Sequence, residues 1–233
     1  HHEGSPVSAW NTVLYFLLIL GRLTSPDYVC QPEVSGIRFD GAYDIAVSAH
    51  LIQLYNEDQA IRQPGQAINV EQLITDDRLR REVVLGYLQA GQITRADDLY
   101  RAALIFQHGD CPAHYQLAAD LAYRAYEDGY TTAGWLYAAA LDRYQQNTGR
   151  LSSYGTQYTT DIRGHFAQCP VDGSITDAER AELGLASLAD LHARASSFDG
   201  QFQVEPSPWG AFAELPGIGP YFYQISLIWA CLH

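Results

Sequence analysis

The stretch LYRAALIFQHGDCPAHYQLAADLAYRAYEDGYTTAGWLYAAALDRY, residues 99–144, decides the fold. Its apolar residues recur at helical spacing and are interrupted only by the loop HGDCP (108–112) and around Gly129, which predicts successive helices joined by short loops. Short loops favour antiparallel neighbours, and the many alanines let neighbouring backbones approach closely, as in solenoid hairpins. We therefore predict an all-α fold of antiparallel helical hairpins, partly solenoid-like, forming a single domain over residues 1–233.

The flanking segments extend this helical pattern in both directions. One helix is predicted from Asp44 until Pro64 stops it, and a second starts at Val70 or Thr75 and closes at Gly91. In the central region that contains residues 99–144, Thr94 is the predicted cap of the first helix. The next two helices are predicted to cover residues 115–127 and 132–144.

The C-terminal part is predicted to be less regular. A helix capped by Thr176 or Asp177, with Glu179 as the third-position acid, carries a leucine face over residues 183–191. An extension, residues 197–233, contains four prolines and is predicted to be irregular until a last buried helix over 221–232.

The segment TVLYFLLIL, residues 12–20, is nearly all apolar. It is too short to span a bilayer, which needs about 20 apolar residues. It also lacks a basic region before it, so it is not an intact signal peptide. We predict a buried first helix there and no membrane span.

Composition excludes several classes of partner and of chemistry. The chain is acidic, with a formal net charge of −13, and its basic residues lie mostly singly, so a nucleic-acid partner is not expected. All 14 basic residues are Arg, which removes lysine Schiff-base chemistry. No Met is present, from which we expect a processed or trimmed chain.

The four cysteines, Cys30, Cys111, Cys169 and Cys231, show no C-x-x-C spacing. Two disulfides in a secreted, extracellular protein are the favoured interpretation, and four buried thiols in a cytosolic protein are the alternative. We favour a Cys111–Cys169 bridge, because each precedes a proline in a loop, and a Cys30–Cys231 bridge that ties the two chain ends.

Four polar clusters stand out against the apolar background, and three of them lie at predicted helix ends. Helix ends that point the same way meet at one edge of a bundle, so we predict that the clusters converge there. Their members are Asp58, Gln59 and Arg62; Gln107, His108 and Asp110; Asp142 and Arg143; and Tyr154, Thr156 and Gln157.

Together these groups would form an acid–base and ligand-binding site. His108 is the candidate general acid or base because an imidazole titrates near neutrality, and Asp58 or Asp142 would orient it. Ligand binding is assigned to Arg62 and Arg143, which would hold an anionic group, and to Gln59, Gln107, Tyr154 and Gln157. A metal set of His108, Asp110 and His165 matches no known spacing, so neither a metal nor a cofactor is predicted.

Each cluster also has a purely structural interpretation. Asp58 and Arg62 are four residues apart, as in ordinary surface ion pairs, and His108 would suit a helix C-terminus. Asp142 and Arg143 would form a buried link between helices. The turn at 155–157 would satisfy free carbonyls at a helix end.

Five separated motifs, in this order, resemble those of a domain-of-unknown-function family with a D-Q-x-x-R, F-Q-H-G, D-R-Y and Y-G-T-Q series. They are NEDQAIR (56–62), LYRAALIFQHGD (99–110), LYAAALDRYQQNTGR (136–150), YGTQY (154–158) and DAERAELGL (177–185). The resemblance covers residues 45–190 and implies a helical domain without implying an activity. It marks as family-type positions Asp58, Gln59, Arg62, Gln107, His108, Asp142, Arg143 and Gln157. The cysteines, the apolar first helix and the Pro-rich tail depart from the family pattern and suggest an exported variant.

Two functions follow from these patterns. The first is a binding, self-assembly or interaction module with a protein partner, a second copy of the chain or a small-molecule ligand; its aromatic surface would include Trp135, Tyr137, Trp209 or Phe222. The second is a hydrolase-type enzyme that uses His-centred acid–base chemistry on a small or peptide-like substrate. No nucleophile motif such as G-x-S-x-G occurs, and binding or assembly is therefore the favoured function.

Overall fold

The computed structural model describes residues 35–62, 69–199, 210–216 and 219–232, all within one compact unit formed by residues 33–233. The described part is mostly helical and contains one two-stranded sheet, so the predicted all-α class is confirmed. The predicted helix at 12–20 lies outside the described residues. None of the described helices is both long and apolar enough to cross a membrane.

Two helices begin at the caps that local sequence provides. Helix α1 (Ile45–Ile61) begins after Asp44, as predicted, and the Asp44 carboxylate accepts hydrogen bonds from two N–H groups of the first turn. Helix α2 (Val70–Gln89) begins after Asn69, whose side chain caps the Gln72 N–H. The chain then turns at Gly91, which has a φ of 71°.

Three consecutive helices form the centre of the fold: α3 (Ala96–Gln107), α4 (Pro112–Glu127) and α5 (Ala133–Asn147). The predicted Thr94 cap is wrong, because Arg95 occupies the N-cap position without a side-chain hydrogen bond. Helix α4 starts three residues earlier than predicted, since the fixed φ of Pro112 suits a first helical turn.

Small side chains allow these helices to pack closely, as the sequence predicts. The α3–α4 and α4–α5 pairs make the most extensive contacts between described helices. Fully buried alanines line these contacts: Ala102, Ala103, Ala118, Ala122, Ala125 and Ala140. Larger side chains such as Leu99, Phe106 and Leu136 fill the remaining core.

The region after α5 was only partly predicted. Strands β1 (Tyr158–Thr160) and β2 (Phe166–Gln168) form an antiparallel pair that was not expected. Thr176 caps helix α6 (Asp177–Glu182) in a capping box with Glu179, as predicted. The single predicted leucine-faced helix is wrong, because Gly184 has a φ of 76° and separates α6 from helix α7 (Leu188–Arg194).

The last helix, α8 (Gly219–Leu232), lies where an apolar closing helix was predicted. Before it come two short 3₁₀ turns, Ala195–Phe198 and Gly210–Glu214. Helix α8 contacts β1, α5 and the second of these turns.

The predicted disulfide pairing is wrong: Cys169 is bonded to Cys231, with a Cα–Cα distance of 5.7 Å. The physical reason is that α8 packs against β1, and Cys169 directly follows β2, the strand paired with β1. Cys111, the N-cap residue of α4, is also disulfide-bonded. The predicted Cys30–Cys231 bridge is wrong as well, because Cys231 is bonded to Cys169; Cys30 itself lies outside the described residues.

Candidate functional site

Two of the predicted polar clusters meet, and a histidine–carboxylate pair joins them. Asp58 lies in the last turn of α1 and is 1% exposed, whereas His108 is the C-cap residue of α3. The Nδ1 atom of His108 lies 2.9 Å from Oδ2 and 3.0 Å from Oδ1 of Asp58. Asp58 is therefore the carboxylate that orients His108.

The carboxylate of Asp58 is held in a chain of ion pairs. Its oxygens accept hydrogen bonds from Arg62 (2.9 Å) and from Gln59 (2.7 Å). Arg62 also binds Asp77, which pairs with Arg80 at 2.6 Å. Asp77 and Arg80 both lie on α2, so the chain of ion pairs ties α1 to α2.

Sequence reasoning missed Asp77 and Arg80. They lie in the charged run DDRLRR (76–81), which is typical of a solvated helix face, yet both are buried. Their spacing of three residues on one helix is the signal that would have suggested an ion pair.

The environment keeps Asp58 ionised. Burial alone would raise the pKa of its carboxyl, but the hydrogen bond and charge of His108 and the charge of Arg62 outweigh burial, so the pKa lies below its usual value. An ionised carboxylate accepts the Nδ1–H of His108 whether the ring is charged or neutral, and in the neutral ring this contact places the lone pair on Nε2.

His108 is fixed on one side and open on the other. Its side chain is 22% exposed, and within the described part of the chain its Nε2 atom makes no hydrogen bond. Arg81 anchors its backbone by donating to the His108 carbonyl oxygen at 2.8 Å and to Asp110 at 3.0 Å. The ring can therefore exchange a proton with a group arriving from solvent.

Arg143, on α5, contacts the C-terminal end of α3. Its Nη1 donates to the carbonyl oxygen of Gln107 at 2.7 Å, and its Nη2 lies 3.5 Å from Oε1 of Gln157. Its guanidinium carbon lies 5.7 Å from the centre of the Tyr115 ring. Asp58, Arg62, His108 and Arg143 are called the helix-end cluster below.

Arg143 lacks the counter-ion that buried arginines usually have. Among the described carboxylates, none forms an ion pair with its guanidinium. Burial and the nearby charge of Arg62 lower the pKa of Arg143, although its tyrosine neighbour opposes the shift. A guanidinium stays protonated in proteins, so the cluster contains a positive charge that no described carboxylate neutralises.

Asp142, the other candidate for orienting His108, serves a different purpose. It is fully buried, and its carboxylate accepts four hydrogen bonds of 2.7–2.9 Å from the loop that follows α5. The donors are the backbone N–H groups of Ser153, Tyr154 and Thr156 and the hydroxyl of Thr156. Burial raises the pKa of Asp142, although these donors oppose the shift.

Arg180 binds the other side of this loop and was missed by sequence reasoning. It is 2% exposed and donates to the carbonyl oxygens of Tyr154 (2.9 Å), Ser153 (3.2 Å) and Ile175 (2.8 Å). An arginine in a short amphipathic helix such as α6 gives no sign in the sequence that it is buried.

Tyr154 and Gln157, two predicted ligand-binding residues after α5, lie in different surroundings. Tyr154 is buried in a small core with Ala138, Leu185 and Leu191, and its ring lies 6.0 Å from that of Tyr137. Its side chain therefore packs rather than facing a ligand.

Gln157 follows the same loop but turns towards Arg143. Its side-chain amide donates to the Ala139 carbonyl oxygen at 3.1 Å and to Thr156 Oγ1 at 3.0 Å. Its Oε1 atom faces the Arg143 guanidinium, so Gln157 lies beside the helix-end cluster.

Gln107 is the last residue of α3 and is buried. Its backbone oxygen binds Arg143, but its side-chain oxygen Oε1 is buried without a hydrogen-bond partner. An unsatisfied buried acceptor is costly, so this atom would favour a donor from outside the described chain.

The groups suited to metals do not form a convincing metal centre. Possible ligand atoms of Asp110, Cys111 and His114 lie within 4.8 Å of one another, but Cys111 is disulfide-bonded and Arg81 pairs with Asp110. His165, from the other set that was considered, is exposed, and its Nδ1 atom lies 3.5 Å from Oδ2 of Asp199.

The predicted aromatic surface is only partly present. Trp135 on α5 is 45% exposed, but Tyr137 is half-buried against Tyr123, with ring centres 5.1 Å apart. Trp209 and the side chain of Phe222 lie outside the described residues.

Comparisons with family models, with curated proteins and with solved structures gave no match. The resemblance of the five motifs to a domain-of-unknown-function family therefore stays a prediction. What the fold and the site define is a disulfide-bonded helical protein in which a partly exposed histidine, held by a buried carboxylate, lies near an arginine that forms no ion pair with any described carboxylate.

Proposed function

We propose that this chain is an extracellular binding protein whose helix-end cluster binds the carboxylate group of a small or peptide-like ligand. The observation that carries the proposal is the half-buried guanidinium of Arg143, which forms no ion pair with any described carboxylate. Charge-assisted, often bidentate hydrogen bonds make carboxylates good partners for such a group.

The balance of charges supports an anionic ligand. The carboxylates of Asp58 and Asp77 are matched by Arg62 and Arg80. Asp110 is likewise matched by Arg81. One positive charge is left over at Arg143, in a chain whose net charge is −13. A local positive group on an acidic surface gives selectivity for an anion that the rest of the surface repels.

A structural role accounts for only part of the Arg143 side chain. Its hydrogen bond to the Gln107 carbonyl satisfies one free acceptor at the C-terminus of α3, where a cation is favourable. A guanidinium has five N–H donors, and its contacts with Gln107 and Gln157 use two of them. The remaining donors suit a ligand.

This function is tested by calorimetric titration with three anions: acetate, monomethyl adipate and inorganic phosphate. We expect saturable calorimetric binding of the carboxylates and at least a tenfold weaker affinity in Arg143→Gln. Arg78→Gln is the matched control, because Arg78 is exposed on α2 and pairs only with Glu82 among the described residues. Equal affinities in all three proteins would refute the site, and preference for phosphate would refute the ligand class.

The extracellular assignment is supported by the disulfides at Cys169, Cys231 and Cys111, since structural disulfides persist in oxidising compartments. Peptide mapping without reductant, on protein taken directly from its source, tests this assignment. A Cys169–Cys231 cross-link is expected, and free thiols at both positions would argue for a reducing compartment.

Two further expectations belong to this proposal. Short loops and the packing of consecutive helices support the antiparallel, partly solenoid-like hairpin arrangement of α3, α4 and α5. A protein partner or a second copy of the chain is the alternative ligand, and the exposed Trp135 supports it. Sedimentation of the wild type and of Trp135→Ala tests self-association. A dimer that forms in the wild type and is lost in Trp135→Ala would favour a second copy of the chain as the partner.

A further inference from the structure

We propose that the helix-end cluster is hydrolytic and cleaves a carboxylic ester or amide whose acyl part carries a second, free carboxylate. His108 is the general base that activates a water molecule. This inference rests on the proposed function, because Arg143 would hold the free carboxylate while the carbonyl group lies at His108.

The histidine–carboxylate pair has the arrangement that proton transfer needs. Nδ1 of His108 is directed at both oxygens of Asp58, which is buried and itself held by Arg62 and Gln59. This contact fixes the tautomer with the proton on Nδ1 and leaves the lone pair on Nε2, at the exposed edge of the ring. Asp58 also stabilises the imidazolium that forms when Nε2 takes a proton.

Water is the nucleophile that the surroundings allow. Among the described residues, no serine, threonine or cysteine side chain is hydrogen-bonded to His108, and the chain contains no lysine. Two hydroxyl groups on residues around the helix-end cluster already have acceptors, since Thr156 donates to Asp142 and Tyr115 donates to the Gly109 carbonyl oxygen.

Arg62 offers guanidinium N–H groups beside the place that the reacting carbonyl would occupy. It contacts the same oxygen of Asp58 as His108 does, Oδ1, at 2.9 Å, and its side chain is 22% exposed. Its charge is balanced by Asp58 and Asp77, so its contribution would be a hydrogen bond donated to the carbonyl oxygen as negative charge develops there. Arg143, on α5, would position the far carboxylate of the substrate.

The reaction balances without a cofactor. The water oxygen forms a bond to the carbonyl carbon while one water proton passes to Nε2 of His108. The tetrahedral intermediate then collapses, the bond to the alcohol oxygen or amine nitrogen breaks, and His108 returns its proton to that leaving group. The products are an alcohol or amine and a new carboxylic acid, which releases its remaining water-derived proton to solvent and becomes a carboxylate, and the lone pair of His108 Nε2 is restored.

Two matched substrates test the proposal: the mono-p-nitrophenyl ester of adipate, which carries a free carboxylate, and p-nitrophenyl pentanoate, which does not. We expect wild type to hydrolyse the adipate ester with saturation, and His108→Ala to lose at least tenfold in kcat/KM. His192→Ala is the control, because His192 is exposed on α7 and would contribute only the background catalysis of a surface imidazole. Its rate should equal that of the wild type.

The substrate class is tested by Arg143→Gln, which should raise KM for the adipate ester more than for the pentanoate ester. Release of p-nitrophenol should be linear from the first turnover, because water attacks directly; a burst equal to the protein concentration would overturn water as the nucleophile. Equal rates for wild type and a folded His108→Ala variant would overturn hydrolysis. Because carboxylate binding is measured separately by calorimetry, that result would leave the proposed binding function standing.

Discussion

Asp142 and Arg180 bind opposite sides of one loop: the carboxylate accepts from backbone N–H groups of Ser153 and Tyr154, and the guanidinium donates to the carbonyl oxygens of the same two residues. Both side chains are buried. The polar groups that follow α5 are therefore a structural clamp, and this clamp fixes the loop that leads to Gln157 beside the helix-end cluster.

Asp142→Asn should destabilise the protein by at least about 2 kcal/mol. An amide nitrogen in place of one carboxylate oxygen would face two hydrogen-bond donors, and each buried unsatisfied donor costs about 1–3 kcal/mol. Urea unfolding at pH 7 measures the loss. Asp120→Asn, at an exposed site on α4, is the control and should change the free energy of unfolding little. A loss no larger than that of the control would contradict the clamp.

Arg180→Gln should loosen the loop even under conditions in which the protein stays folded. Glutamine is too short to reach the three carbonyl oxygens that Arg180 binds, so these acceptors lose their buried donors. Hydrogen exchange at the amides of Ser153, Tyr154 and Thr156 should accelerate at least tenfold relative to the amides of the α3 core. Unchanged protection at all three positions would show that Arg180 does not hold the loop.

Asp58 should make stability depend on acid pH in a specific direction. Its pKa is lowered in the folded state, so its stabilising contribution is complete above the unfolded value of about 3.9 and disappears as the pH falls through the lower folded value. The difference in unfolding free energy between wild type and Asp58→Asn should therefore be largest near pH 6 and shrink towards pH 2. If the difference in unfolding free energy grew as the pH fell, the pKa of Asp58 would be raised on folding, which would contradict an ionised Asp58.

The Cys169–Cys231 bond should stabilise the attachment of α8. The bridge closes a chain segment with a sequence separation of 62, for which loop-closure entropy gives about 4 kcal/mol. Cys231→Ser should lower the unfolding free energy by about 2–4 kcal/mol and expose α8 to proteolysis before the helices α3 to α5. Ser226→Ala, within the same helix, is the control for a change that leaves the bond intact. Simultaneous cleavage in both regions would contradict local detachment.

Local signals in the sequence predicted the parts of the fold that local contacts decide. The start of α1 at Asp44 and the capping box of Thr176 with Glu179 are each set within a few residues, and both were predicted. The break at Gly184 was missed because the leucine pattern continues across it and only the left-handed conformation of the glycine separates two helices.

Contacts between distant residues were predictable only where helix ends meet. The meeting of Asp58 with His108 follows from successive helices whose polar residues lie at their C-terminal ends, and it was expected. The Arg180 clamp and the Cys231 bond depend on how α6 and α8 pack, over separations of 26 and 62 residues, and no periodicity in the sequence encodes that packing. The assignment of Asp142 failed for the same reason, since its donors belong to a loop whose path was unknown.

Carboxylate binding at Arg143 is tested most directly by an NMR titration of its side chain with sodium acetate. Its Nε–H signal is assigned by its disappearance in Arg143→Gln. If the helix-end cluster binds a carboxylate, this signal and the imidazole signals of His108 should move together and saturate with one affinity, while the signal of Arg78 moves little. Movement of all arginine signals in proportion to salt, with no saturation at Arg143, would contradict a carboxylate site in the helix-end cluster.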